Sequence, residues 1–322
     1  MMVWIFFILL ILLLLFLDLG VFHKNSYAVS MKESLVWTMI WIFVASLFGI
    51  VLFYLYKYNL YNINPNGLDA SDAMLKYYTG YVIEKSLSLD NIFVIALIFT
   101  YFKIESRFQH RILFYGILGA IILRGIMILS GAAFVEKFSW STYIFGAILI
   151  YSAIKMMTAK HDDVDYYKNP ALKLFSKIYP VSWEDREEKF IIQKNGKRFM
   201  TASLATLIVV EFSDVLFAVD SIPAILAVTT DSFIVFTSNI FAILGLRNLY
   251  FFLANMMDKF KYMKYSLVFI LLFVGIKMIL LNYYELPSYV SLVFILGALA
   301  VGILASIISN KKKERNLGKP LF

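Results

Sequence analysis

The apolar stretch VVEFSDVLFAVDSIPAILAV, residues 209–228, is interrupted by three carboxylates, Glu211, Asp214 and Asp220. A second stretch, TGYVIEKSLSLDNIF, carries Glu84, Asp90 and Asn91. At the centre of a membrane helix each acid costs about 2.5–3.5 kcal/mol on insertion scales, so charges kept there point to a task. Carboxylate and amide oxygens are the ligands that hard divalent ions such as Mg²⁺, Mn²⁺ and Ca²⁺ prefer, whereas Zn²⁺ and copper favour imidazole or thiolate. The chain has no cysteine, and His23, His110 and His161 fall at the ends of apolar segments or in loops. Glu84, Asp90, Asn91, Glu211, Asp214 and Asp220 are therefore the candidate cation ligands, with Ser221 beside them. Carboxylates crowded together repel one another and hold protons more tightly, which would let protons exchange for the cation.

The elements that must carry these residues are membrane helices. The chain is 61% hydrophobic and only 16% charged, against about 25% charged in ordinary soluble domains. Apolar runs of about 20 residues suggest nine spans, near 3–22, 34–56, 77–102, 112–131, 140–158, 201–228, 232–254, 265–283 and 287–308. The first lacks a basic start and a cleavage site and reads as a retained helix rather than a signal peptide. Alternating the nine spans places 22 of the 30 Lys and Arg on one side, three on the other and five within spans. By the positive-inside rule the N-terminus is outside and the C-terminus cytoplasmic, in a multi-pass inner-membrane protein. The net charge of +8 thus reports orientation, and no nucleic-acid partner is expected.

The intramembrane charges recur in order. Glu84 and Asp90 are followed by Arg124 and Lys155; Asp214 and Asp220 are followed by Arg247 and Lys277. The acids of each pair are six apart, and each unit is three spans long. An odd number of spans inverts the second unit relative to the first, the plan of many secondary transporters. The expected organisation is all-helical: residues 1–74 with two N-terminal helices, 75–158 as the first repeat, and 159–200 as a cytoplasmic polar loop. Residues 201–284 form the second, inverted repeat, and 285–322 the last helix and a basic tail. Within the loop, KFIIQKNGKRFM suggests a two-residue hairpin at Asn195-Gly196; the loop otherwise reads as a solvated linker.

Positions six apart on a helix point about 120° away from each other, whereas Glu211 and Asp214, three apart, share a face. Asp90 and Asp220 would join one site in a wide cavity or where the helix unwinds, and Pro223 is the candidate for such a break. Arg124, Lys155, Arg247 and Lys277 are expected to balance the acids when no cation is bound; Lys85 could snorkel to the outer interface. The five intramembrane bases nearly match the five acids, so paired charges that merely hold helices together are the blander reading. A passive cation channel is another. Two aspartates could act as an intramembrane acid–base dyad, but Gly-x-Gly-Asp, HExxH and GxSxG patterns are absent, and no enzyme is expected.

The segments LDLGVF, TGYVIEKSLSLDNIFV, QHRILFYGILGA and VVEFSDVLFAVDSIPAILAVTTDSFIVFTSNIFAILGLRNLYFFL together resemble the TerC family of integral membrane proteins, and within it the Alx-like branch. The resemblance implies a protein of the LysE-type transporter group, with ion sites built from acids on inverted repeats. It implies manganese export from the cytoplasm, with Mn²⁺ as the transported ion and no permanently bound cofactor. It carries the family's acidic positions onto Glu84, Asp90, Glu211, Asp214 and Asp220, and its polar position onto Asn91. The family's name comes from tellurium resistance and some members are described as redox modulators, so tellurite handling or redox modulation without metal transport is the alternative.

Overall fold

The computed structural model describes residues 2–17, 31–138, 140–158, 166–183, 189–194, 196–254, 262–281, 283–284 and 286–316. Within them the chain is mostly helical. The helices are α1 (Met2–Phe16), α2 (Met31–Lys57), α3 (Ala70–Tyr101), α4 (Ser106–Lys137), α5 (Ser141–Thr158) and α6 (Pro170–Ser176). After a small sheet come α7 (Ala202–Leu226), α8 (Ser232–Leu244), α9 (Leu246–Ala254), α10 (Met263–Leu280) and α11 (Ser288–Asn316).

Among the described residues five helices are long and apolar enough to cross a membrane: α2, α4, α7, α10 and α11. The bent pair α8–α9 makes a sixth if it counts as one span. α1 and α5 are apolar but shorter. α3 is 32 residues long, about 48 Å at 1.5 Å per residue; its charges at Glu84, Lys85 and Asp90 keep it off an apolarity-based tally. The long spans are closed by side-chain caps. Asp69 accepts from the amides of Ser71 and Asp72 to start α3, and Thr201 accepts from Leu204 to start α7. Asp231 accepts from Phe233 and Ile234 to start α8. Each satisfies amides that a helix start leaves without partners.

The packing pairs the two three-helix stretches reciprocally. α3 lies on α8, α4 on α7, and α5 against α10. Exchanging α3–α4–α5 with α7–α8/α9–α10 leaves that pattern unchanged. The α5–α10 crossing is close because Gly146 and Gly275 face each other: a Cβ on Gly146 would come within 2.8 Å of the Gly275 carbonyl oxygen. Small residues let membrane helices approach to backbone contact.

Buried side chains form two apolar clusters. One takes α1, α2, the first part of α3 and the later part of α7. The other takes the end of α3, the start of α4, the start of α7, and α9. Along α7 the clusters change over between Val210 and Ala218; along α3 they change over between Leu87 and Ile92. Glu211, Asp214, Asp90 and Asn91 fall in those seams.

Three expectations change. α7 stays helical through Pro223 to Leu226; the proline costs it one backbone hydrogen bond without ending it. The break instead lies at Gly245, where α8 and α9 meet at 42°. The polar segment is no simple solvated linker. β2 (Ile191–Lys194) and β3 (Lys197–Thr201) form the expected hairpin, and β1 (Val181–Ser182) adds to β3 in parallel. Trp183 stacks on Phe102 at the end of α3, with ring centroids 5.5 Å apart, and Tyr167 packs edge-on against Trp183. Trp41 and Tyr56 lie near the ends of apolar runs, where aromatic residues are expected at the membrane interface, yet both are buried; the Tyr56 hydroxyl donates to Asp231 at 2.7 Å.

Candidate ion-binding site

Arg124 is the centre of the buried polar residues. It projects from α4 and is fully buried. Its Nε and Nη2 donate to the two carboxylate oxygens of Asp214 on α7, at 3.0 and 2.7 Å. Its Nη1 donates to Glu84 Oε1 on α3 in a very short contact. The same nitrogen lies 3.4 Å from Ser221 Oγ and from Asn239 Oδ1. Asn239, on α8, closes the ring by donating its amide to Glu84 Oε2 at 3.0 Å, and the Ser88 hydroxyl donates to Glu84 Oε1 at 3.3 Å. Glu84 is wholly buried and Asp214 is 18% exposed.

The guanidinium fork matches the two oxygens of a carboxylate, which makes the Asp214 pair bidentate and geometrically exacting. A buried ion pair is weak as a source of stability, since desolvation offsets much of its attraction. What it does fix is position. Glu84 and Asp214 are drawn from two helices onto one cation.

The other predicted residues lie around this centre or apart from it. Glu211 shares the α4-facing side of α7 with Asp214. Its carboxylate rests on Gly119, and Oε2 is buried with no hydrogen-bond partner among the described residues. A Cβ on Gly119 would press into that carboxylate closer than real contacts allow. Gly119→Ala should therefore leave α4 helical, cost about 1–3 kcal/mol of stability and push Glu211 out of its seat. The check is a lowered thermal midpoint relative to the parent.

Asp220 does not join Arg124. It accepts a hydrogen bond from Ser152 on α5 at 2.6 Å, and the charge of Lys155, further along α5, acts on it. Asn91 is buried, and its amide nitrogen has no hydrogen-bond partner among the described residues. The side chain of Asp90 lies outside the described residues. Arg247 is buried at the start of α9. Lys277 donates to Ser291 on α11 at 2.9 Å and lines a cavity of about 560 Å³ with Asp72, Lys76, Thr229 and Ser288. Lys85 does not snorkel to an interface; its ammonium donates to the Ala242 carbonyl at 3.0 Å. Among the described residues no three His, Cys, Asp or Glu side chains converge as a metal-ligand set. The two acids that meet do so around a guanidinium.

Ser88, Ser152 and Asn239 were not singled out from the sequence. Their signal was weak, because a neutral polar residue in a membrane helix is far less unusual than a charged one. Asn239, the one side-chain amide in the run SFIVFTSNIFAIL, which also holds three hydroxyl residues, was the most findable.

Comparison with known proteins fits this architecture. The chain is 43% identical over 312 residues to an uncharacterised membrane protein of Rickettsia bellii (strain RML369-C), covering 97% of this chain and 99% of that one. It is 42% identical over 308 residues to an uncharacterised membrane protein of Myxococcus xanthus, covering 96% and 92%. It is also 40% identical over 297 residues to Alx of Escherichia coli (strain K12), provisionally named a membrane-bound redox modulator, covering 92% and 91%. No solved structure matches. The model of the integral membrane protein TerC family matches residues 69–314, and with relatives this similar over nearly the whole length, the chain belongs to the TerC family.

Proposed function

We propose that this protein is a secondary transporter that exports a divalent cation, Mn²⁺ foremost, from the cytoplasm in exchange for protons. The observation that carries the reading is the convergence of Glu84 and Asp214, equivalent acids of two successive units, on the buried Arg124. In this reading Arg124 holds the acids while the carrier is empty, and an arriving cation takes its place. Glu84, Asp214 and Glu211 supply carboxylate oxygens, with Asp90, Asn91 and Asp220 along the same path. Oxygen donors select a hard divalent ion; the resemblance to the Alx-like branch selects manganese among them. Reciprocal helix pairing and a broken helix beside the site are what an inverted-repeat carrier would have.

The same reading gives nine spans in the inner membrane, with the N-terminus outside and the C-terminus in the cytoplasm. The cavity lined by Asp72, Lys76 and Lys277 is then an outer vestibule. The protein is a carrier rather than an enzyme, its partners being the cation, protons and the bilayer. Redox modulation by thiol–disulfide exchange has no support in these 322 residues, which contain no cysteine.

The test is transport by the purified protein in liposomes, with Mn²⁺ followed by a trapped dye under an imposed pH gradient. Metal movement driven against an opposing proton gradient, and absent from empty liposomes, is the expected result. No metal movement at any pH would discard the reading.

A further inference from the structure

Lys85 occupies an unusual position. It follows Glu84 on α3 and reaches across to the junction of α8 and α9, where the two helices meet at 42°. Ala242 lies in the last turn of α8, where carbonyls run out of intrahelical donors. Its oxygen accepts from the Lys85 ammonium at 3.0 Å, the one hydrogen bond of that ammonium among the described residues. Gly245, at the break itself, is crowded by the same group: a Cβ there would lie 3.0 Å from Lys85 Nζ and 3.0 Å from the Cβ of Trp41 on α2. The negative end of a helix dipole attracts positive charge. In transporters, freed carbonyls at the C-terminal end of a half-helix are a familiar seat for a small monovalent cation.

We infer that the α8–α9 break is a monovalent-cation site filled by the chain's own Lys85 ammonium. The side chain is a tethered ion. It neutralises the open end of α8, holds the bend, and needs no ion from solution. The glycine at 245 follows from the same arrangement, since any side chain there would displace the ammonium or Trp41. The inference concerns the α8 terminus and stands independently of which ion the protein transports.

A tethered ion that is cut off leaves an empty seat which a free ion can refill. Lys85→Ala creates that seat; Lys85→Met fills the space without charge; Lys85→Arg keeps the charge. The measurement is the thermal midpoint of the purified full-length protein, titrated with methylammonium or sodium chloride against choline chloride at equal ionic strength. Lys85→Ala should lose about 3–6 °C, the effect of leaving a buried carbonyl without its partner. Methylammonium, sodium or both should restore the loss saturably, with choline too large to do so. Lys85→Met should lose a similar amount and gain nothing from either salt, while Lys85→Arg stays near the parent. The inference is overturned if Lys85→Ala matches the parent, if choline restores as well as methylammonium and sodium, or if Lys85→Met is rescued equally. Should Lys85→Ala fail to fold, the Arg and Met variants still decide, because equal midpoints for those two would also overturn it. Inactivity in metal transport by the parent would discard the proposed function and leave this result untouched.

Discussion

Arg124→Gln should be the most damaging single substitution in the protein. It leaves Glu84 and Asp214, held on α3 and α7, facing each other with no countercharge. Removing one partner of a buried charge network costs about 3–5 kcal/mol, and here two like charges are stranded by one change. The expected outcome is a large fall in thermal midpoint and in the amount of protein recovered from membranes. A companion variant separates charge from packing. Combining Arg124→Gln with Glu84→Gln and Asp214→Asn removes the whole network, and polar groups then face polar groups. Stability should return most of the way to the parent while metal movement stays at the level of empty liposomes. If the triple variant is as unstable as Arg124→Gln alone, the guanidinium acts through shape and hydrogen bonds rather than through charge.

The second large effect is on transport without loss of fold. Asp220→Asn keeps an oxygen that can accept from Ser152, so the α5–α7 contact survives and the midpoint should stay within about 2 °C of the parent. Manganese efflux should nonetheless fall to background, because a neutral amide neither attracts a divalent ion nor carries a proton. Asp214→Asn gives the instructive contrast. It should also abolish efflux, but with a measurable drop in midpoint, since Arg124 then depends on Glu84 for charge. Cells lacking known manganese exporters and expressing each variant provide the readout in metal content. Efflux by Asp220→Asn at the parent's rate would confine the ion path to the residues around Arg124.

Much of this arrangement was legible in the residue pattern because charges in apolar helices are rare. The order Glu84, Arg124 and Asp214, Arg247 could be compared before any helix was placed, and the structure brings Glu84 and Asp214 together at Arg124. What escaped was governed by backbone and packing. Pro223 drew attention as a breaker, yet α7 absorbs the lost backbone bond and continues to Leu226. Gly245 carries no signal of its own in the residue pattern, and its place at a bend depends on Lys85, some 160 positions away in sequence. Lys85 itself could be read only as a long side chain near a helix end, because nothing in a one-dimensional pattern reveals an unsatisfied carbonyl on another helix. Asn239 was overlooked for a related reason: a side-chain amide adds little to the cost of a membrane helix, so its presence in α8 was not anomalous.

The folded connection between the units has a consequence for how they can move. Trp183 is stacked on Phe102, where α3 ends, and β3 runs directly into the Thr201 cap of α7. Two rigid bodies joined by a long slack tether could separate freely at that end. Joined by a stacked ring and a few strand bonds, they can swing about it but cannot drift apart there. In the proposed orientation that rim faces the cytoplasm, which would make it the pivot and put the widest excursions at the opposite mouth.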